Sequence, residues 1–399
     1  MGTDQRKPKR MIAKVSGWIR RFFAAKKTFR KLPHTDIAIF DTHTADHLTQ
    51  VLEGYSFFTI DIRGESIHLP TLIQSVIDYL LQKGKKKLSI LHYSNMLARL
   101  GAQICITNQD ANAIFFDLAR VNSKIRFIAL QQGLKAESTI DHFQGICGDY
   151  YAYGSAYANK LGNGKARMII AGSLKANNSV VEVAKYDRVA YISSFVGHAL
   201  DLRVTGQYNY AEFSYPPIYS AMRMIDSFCD KHECELVVVS KSSRERTEDE
   251  RAHVMRSEMC LYENALGRPA NIFTGNSYLT AGESRLVVCD QSALGYELLG
   301  LGCKVVFLSF LSYFLHVPSY RFGWPLTLPD RGPFWCCSPD PAYIDEMLQK
   351  VWRMSQYDWD EISRPYRDEL MHYDKGNSIL HRQLKAILYG SENSVSAAS

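Results

Sequence analysis

The sequence predicts an α/β protein with two Rossmann-like domains that face each other across a cleft. From residue 36 onward, short apolar runs alternate with amphipathic stretches. This alternation is typical of a parallel sheet covered by helices on both faces. The chain has 399 residues, 46% of them hydrophobic. Because single cores stop growing at about 250 to 300 residues, a chain of this length should divide into two.

In the first half, apolar runs predict strands at 36–41, 55–62, 103–107 and 125–130, followed by 150–153 and 167–170. Helical spacing predicts helices at 45–52, 69–81 and 110–120, and residues 88–100 combine a short strand with a helix. The polar, turn-rich segment 175–185 is the expected hinge. We therefore place the first Rossmann-like domain at 36–178.

The second half restarts the alternation and predicts a second Rossmann-like domain at 186–389. Strands are expected at 188–192 and 235–239, and helices at 215–232, 248–266, 343–354 and 378–388. Residues 390–399 are rich in Ser and Ala without periodicity, so we expect a disordered tail.

The N-terminal segment 1–35 differs from the rest in charge. Residues 1–31 hold eleven Lys or Arg against the single Asp4, whereas the whole chain has a net charge of +6. Within 11–23, apolar residues recur at three- and four-residue steps, which predicts a basic amphipathic helix. We expect residues 6–31 to dock on an anionic membrane surface; packing on the body of the protein and nucleic-acid binding are the alternatives. Nucleic acid fits least, because the sequence suggests no second basic patch.

The segment 287–300 predicts a strand followed directly by a helix that begins at Ser292. The free N–H groups of such a helix can hold a phosphate, Gly295 would let a ligand approach, and Glu297 could accept hydrogen bonds from ribose hydroxyls. The same pattern also fits a helix start and a buried Glu that merely pairs.

Four short motifs carry a resemblance to a known family: 130–133 (LQQG), 148–154 (GDYYAYG), 171–177 (AGSLKAN) and 290–297 (DQSALGYE). In this order they resemble bacterial surface carbohydrate biosynthesis proteins, a group of glycosyltransferases of lipopolysaccharide and capsule assembly. The resemblance implies the two-domain arrangement called GT-B, with Gln132 and Gly133 in the cleft.

Parallel sheets bind ligands at the carboxyl ends of their strands, where several polar residues of this chain are expected. The expected donor contacts are Ser193, Ser194, Ser240, Lys241, Ser292, Ala293, Leu294, Gly295 and Glu297. The candidate catalytic carboxylates are Glu137, Asp149 and Asp110, since sugar transfer needs a base or a nucleophile. Asp110 could equally be the N-cap of the helix that follows it.

No metal or other cofactor is expected. The Asp358-Trp359-Asp360 pattern falls in a segment that is predicted to be helical, and GT-B enzymes neutralise the leaving phosphate with helix starts and basic side chains. Nine cysteines without a CxxC pair, and the lack of a membrane span or secretory signal, favour a cytoplasmic protein that is peripheral on the inner face of the inner membrane.

The sequence thus predicts a metal-independent glycosyltransferase that moves a sugar from a nucleotide donor, CMP-linked acidic sugars included, to a lipid-linked surface glycan. A polyol-phosphate transferase is a close variant. The alternative is a non-catalytic sugar-nucleotide-binding or scaffold protein of the same pathway.

Overall fold

The computed structural model describes residues 23–42, 45–63, 66–162, 164–195, 210–240 and 248–390. The predicted amphipathic helix at 11–23 lies almost wholly outside these residues, as does the predicted tail at 390–399 apart from Gly390. Lys241 also lies outside them. None of the helices in the described ranges is both long and apolar enough to cross a bilayer.

The first half contains a six-stranded parallel sheet. In chain order, the strands of this half are β1 (Lys26–Thr28), β2 (Ile37–Phe40), β3 (Phe57–Ile60), β4 (Ser66–His68), β5 (Ile104–Thr107), β6 (Arg126–Leu130), β7 (Gly148–Ala152) and β8 (Ala166–Ile170). The spatial order is β3-β2-β5-β6-β7-β8, while β1 and β4 form a separate parallel pair. The central strands are buried along most of their length because helices cover both faces.

The helices that lie wholly within the described residues of this half are α1 (Ala45–Val51), α2 (Leu69–Leu81), α3 (Leu88–Leu100), α4 (Ala113–Val121), α5 (Ser155–Leu161) and α6 (Leu174–Asn178). A 3-10 helix spans Glu137–Gly145. Residues 88–100 form one helix rather than the predicted strand and helix, because Ile90, Leu97 and Leu100 are buried at helical spacing.

The second half contains a seven-stranded sheet in the order β11-β10-β9-β12-β13-β15-β14. Its strands are β9 (Tyr186–Ile192), β10 (Glu235–Val239), β11 (Ile272–Phe273), β12 (Ser284–Cys289), β13 (Val305–Leu308), β14 (Arg331–Gly332) and β15 (Trp335–Cys336). All pairings are parallel except that of β14 with β15. The predicted α/β class with two parallel sheets is confirmed.

The helices of the second half are α7 (Tyr210–His232), α8 (Glu248–Leu266), α9 (Ser277–Gly282), α10 (Ala293–Gly300), α11 (Phe310–Leu315), α12 (Pro341–Arg353), α13 (Gln356–Leu370) and α14 (Ser378–Tyr389). Short 3-10 helices lie at Pro318–Tyr320 and Lys375–Asn377. The Asp358-Trp359-Asp360 pattern lies in α13, where Trp359 is fully buried and Asp360 pairs with Arg367 at 3.1 Å.

The last helix returns to the first half. Leu380 and Leu384 of α14 are buried in one cluster with Ile37, Ile39 and Leu130 of the first sheet. This packing differs from the predicted domain at 186–389, which assigned the helix to the second half. Local patterns place a helix in the sequence, but they do not identify the sheet on which it packs.

Two glycines permit this return. A Cβ atom at Gly154 would lie 2.2 Å from the carbonyl oxygen of Glu369, and one at Gly172 would lie 1.9 Å from that of His372. The amide of His372 donates to the carbonyl oxygen of Tyr153 at 2.7 Å. Only residues without a side chain allow the returning chain to come so close to the ends of the first sheet.

Candidate active site at the junction of the two sheets

The loop after β6 is held by its own side chains. The side-chain amide of Gln131 donates to the carbonyl oxygen of Gly133 at 3.1 Å, and its oxygen accepts from the amide of Tyr153 at 2.9 Å. Gln132 is exposed, and the space beside the Cα atom of Gly133 is open to 4 Å. The loop is therefore fixed in position and presents Gln132 and Gly133 outward, as a ligand-facing loop must.

Asp110 supports this loop from below. Its buried carboxylate accepts hydrogen bonds from the hydroxyl of Tyr150 at 2.6 Å, from Lys135 at 2.8 Å and from the amide of Gln132 at 3.2 Å. The alternative in which Asp110 caps α4 is wrong, because Asn112 is the N-cap and accepts from the amide of Ile114 at 3.0 Å. Three donors already hold the Asp110 carboxylate, an arrangement that suits a positioning residue.

Tyr153 and Ser173 connect this loop to the second half. The amide of Gly133 donates to the hydroxyl of Tyr153 at 2.7 Å. The hydroxyl of Ser173, which precedes α6, donates to Oε1 of Glu297 at 2.5 Å, and the hydroxyl of Tyr278 donates to Oε2 at 2.7 Å. Burial and the negative charge of Glu297 hold the pKa of Tyr153 well above its usual value. A chain of polar contacts thus runs from the β6 loop to α10.

The start of α10 has the backbone geometry that the sequence predicts. Ser292 is the N-cap residue, is nearly buried and makes no side-chain capping bond. Ala293 and Leu294 are half-buried in the first turn. The first N–H groups of this eight-residue helix and its positive end lie beside the end of β12, an arrangement that is suited to a phosphate.

Gly295 has a different role from the predicted one. A Cβ atom at this position would lie 2.3 Å from Sγ of Cys289 and 3.3 Å from the ring of Phe307. The missing side chain therefore lets α10 pack closely on β12 and β13. It does not open a path for a ligand.

Two of the predicted donor serines point into the protein instead. The hydroxyls of Ser193 and Ser240, at the ends of β9 and β10, both donate to the carboxylate of Glu258, which is buried in α8. The hydroxyl of Tyr262 donates to Ser193 at 2.8 Å. This closed network fixes the two strand ends, and Ser194 beside them is half-buried, with its hydroxyl oxygen inside the protein.

The remaining catalytic candidates lie apart from each other. Asp149 is near the amino end of β7, away from the strand ends that form the junction, and both of its oxygens pair with guanidinium groups, at 2.5 Å from Arg126 and 2.8 Å from Arg167. This arrangement favours a structural role. Glu137 is exposed at the start of the 3-10 helix that follows the Gly133 loop.

The structure therefore brings Gln132, Gly133, Asp110 and Glu297 into one connected region and leaves Asp149, Ser193 and Ser240 outside it. Local sequence patterns do not single out Tyr153, Ser173 and Tyr278. Tyr153 and Ser173 lie in the motifs 148–154 and 171–177, which carry the family resemblance. No local pattern, however, reveals the contacts that these residues make.

Comparison with known proteins supports the fold and identifies the family. Residues 151–388, more than half of the chain, match the model of a family described as "putative O-antigen biosynthesis protein". No curated protein matches the sequence.

Two solved structures are similar in fold. The Staphylococcus aureus MnaA–UDP co-structure has 11% identity and a TM-score of 0.50, covering 94% of this chain and 100% of that one. A UDP-N-acetylglucosamine 2-epimerase has 12% identity and a TM-score of 0.51, covering 92% and 100%. Both agree with the two-sheet, GT-B-like arrangement. Together with the motifs at the junction, the family match establishes that this chain belongs to the O-antigen biosynthesis protein family and has a GT-B-like fold.

Proposed function

We propose that the protein is a glycosyltransferase that moves a sugar from a nucleotide-activated donor to a lipid-linked surface glycan. The observation that carries this proposal is the position of Glu297. Its buried carboxylate follows a strand end and a helix start, and it accepts hydrogen bonds from two hydroxyl groups, those of Ser173 and Tyr278.

A ribose ring presents two neighbouring hydroxyls, and Glu297 already accepts hydrogen bonds from two hydroxyl groups of the protein. A buried carboxylate needs such donors, because an uncompensated charge in the interior is costly. In the proposed complex the ribose replaces one or both protein hydroxyls, and the diphosphate or monophosphate lies at the first turn of α10.

We assign the acceptor side to the loop that carries Gln132 and Gly133, with Glu137 as the general base or nucleophile near it. Asp110 holds this loop through the amide of Gln132 and through Lys135. Lys241 and the start of α10 are proposed to neutralise the leaving phosphate without a metal ion. A CMP-linked acidic sugar and a UDP sugar both fit this scheme, as does a polyol-phosphate transferase variant.

Residues 6–31 are proposed to hold the enzyme on the anionic inner face of the inner membrane, where a lipid-linked acceptor is found. The basic balance of this segment supports the proposal, since each Lys or Arg near an anionic surface contributes about 1 kcal/mol.

The test is nucleotide binding by a matched pair of variants. Glu297→Gln and Glu258→Gln each alter a buried carboxylate that accepts two hydroxyls, but only Glu297 lies at the junction. Thermal stabilisation is measured with UDP, CMP, CDP and GDP, since a ligand at 100 times its Kd adds about 2.7 kcal/mol. We expect Glu297→Gln to abolish the nucleotide-dependent shift and Glu258→Gln to retain it. Equal shifts in both variants would count against the site.

A non-catalytic sugar-nucleotide-binding protein is the second candidate, favoured by the closed hydrogen bonding of Asp110 and Asp149. Release of free nucleotide from sugar nucleotides in the presence of a lipid-linked acceptor separates the two. Binding without any turnover supports this second candidate, and turnover without sugar transfer indicates another sugar-nucleotide reaction.

A further inference from the structure

Helix α2 is amphipathic, but its polar face is buried and its apolar face is exposed. The residues that it buries are the polar Thr71 and Ser75. The hydroxyl of Ser75 donates to the carbonyl oxygen of Thr71 at 2.6 Å, and the side chain of Asn95 in α3 donates to Ser75 at 3.1 Å and to Asp78 at 2.7 Å. The polar face therefore packs inward, on α3.

The opposite face is an exposed apolar stripe, which we define as Ile73, Val76, Ile77, Leu80 and Leu81. Ile73 is 59% exposed, Leu80 68% and Leu81 76%. These residues follow the spacing of one helical face over a length of about 12 Å. Soluble monomers rarely leave a continuous apolar face in water, so such a stripe indicates an interaction surface.

Basic side chains flank the stripe at both ends. Lys83, Lys85 and Lys86 follow the helix and are exposed, and the exposed Lys87 after them pairs with Asp117 at 3.0 Å. At its start, β1 pairs with β4, the strand that leads into α2, and this pairing brings Lys26 and Lys27 close to it. Between residues 66 and 90 the only acidic residue is Asp78, which Asn95 and Gln74 hold with their side-chain amides. The structure thus reveals a second basic patch, although the sequence predicts none.

We propose that the stripe of α2 and its flanking lysines form a docking surface for an anionic lipid bilayer. An apolar face bordered by cations is the composition of a helix that lies in the plane of the membrane interface, with apolar residues inserted and lysines extended to the headgroups. The apolar stripe lies outside the segment 6–31 proposed above, with which the surface shares only Lys26 and Lys27, and its docking does not depend on the sugar chemistry of the junction.

The positive charge at both ends of the stripe argues against two other occupants, the chain's own N-terminal segment and a second copy of the chain. The segment 1–22 contains seven Lys or Arg against Asp4, so covering the stripe with it would bring like charges together. A second copy of the chain meets the same difficulty, because both ends of the stripe are basic and a two-fold contact places lysines against lysines. Anionic headgroups complement the charge at both ends.

The experiment uses the full chain and vesicles of phosphatidylcholine with or without phosphatidylglycerol. One variant carries Ile73→Ser, Leu80→Ser and Leu81→Ser; another carries Lys83→Gln, Lys85→Gln and Lys86→Gln. Matched controls change exposed residues elsewhere, Val180→Ser with Tyr357→Ser, and Lys124→Gln with Lys350→Gln and Lys385→Gln.

We expect both α2 variants to bind the anionic vesicles about tenfold more weakly or worse, while the controls bind as the wild type does. Vesicles should also slow amide hydrogen exchange in residues 69–81, and added salt should reverse this protection. Unchanged vesicle affinity in the α2 variants would overturn the proposal. So would faster exchange of residues 69–81 after deletion of 1–22 without vesicles, or a dimer that the serine variant dissociates.

Discussion

The hydroxyl of Ser173 lies 2.5 Å from Oε1 of Glu297, and this contact joins the end of the first sheet to the first helix of the proposed nucleotide site. The two residues are 124 positions apart in the chain. Because the carboxylate is buried, an incoming hydroxyl must replace the hydrogen bond that Ser173 already donates to it. The free energy of binding is therefore reduced by the free energy of that bond. The proposed donor site and the contact between the two halves are therefore expected to be coupled.

Ser173→Ala should reduce the free energy of unfolding by about 1 to 3 kcal/mol, because it leaves one oxygen of a buried carboxylate without its donor. A nucleotide ribose that supplies the missing hydroxyl should stabilise this variant more than it stabilises the wild type. Chemical denaturation with and without UDP or CMP measures both effects. Ser179→Ala, which removes a hydroxyl bonded only to the local carbonyl of Lys175, is the control.

Asp149→Asn and Glu137→Gln should separate structure from chemistry. Asp149→Asn weakens two ion pairs on a buried carboxylate, and it should cost about 2 to 4 kcal/mol of stability while the folded fraction keeps its turnover.

Glu137→Gln changes an exposed carboxylate, so we expect unaltered stability and nucleotide affinity with a large loss of kcat. A normal kcat in Glu137→Gln would remove it from the acid–base assignment.

Gly295→Ala should destabilise the protein by about 1 to 3 kcal/mol, because its Cβ atom would meet Sγ of Cys289 at 2.3 Å. The double variant with Cys289→Ala should recover part of this loss. Unfolding curves of the two single variants and the double variant give the coupling energy. If Gly295 instead served ligand approach, the single variant would lose nucleotide binding without losing stability.

Burial of His92, together with the nearby His68, lowers its pKa from 6.5 to about 4. As the pH falls, the unfolded chain therefore binds a proton at this position at a higher pH than the folded protein does. Stability is retained above pH 6.5, falls as the pH drops toward about 4, and no longer changes through this group below that value. His92→Gln should remove this part of the acid sensitivity, at most about 3 kcal/mol, in unfolding curves measured from pH 7 to pH 4.

The sequence was sufficient for most elements of the fold. Helix α8 has the predicted bounds 248–266, and the strands of both sheets follow the apolar runs. Local patterns were weaker where one segment fits two periods. Residues 88–93 contain enough apolar side chains for a strand, but burial of Ile90, Leu97 and Leu100 on one face makes the whole segment helical.

The candidate site was predicted less completely, because its contacts join distant residues. Ser292 and Glu297 could be placed from one strand–helix pattern, whereas the partners of Glu297 come from two other segments. Ser193 and Ser240 do lie at strand ends, as expected. Their hydroxyls turn inward because Glu258, on a neighbouring helix, offers them a buried acceptor.

The return of α14 to the first sheet has a consequence for synthesis of the chain. Leu380 and Leu384 cover part of the apolar surface formed by Ile37 and Ile39, so no continuous stretch of sequence contains the complete first half. While the ribosome is still translating residues before 378, that surface lacks its cover. The N-terminal half can then reach its final packing only after the last helix has emerged, and until that time it presents apolar surface to chaperones.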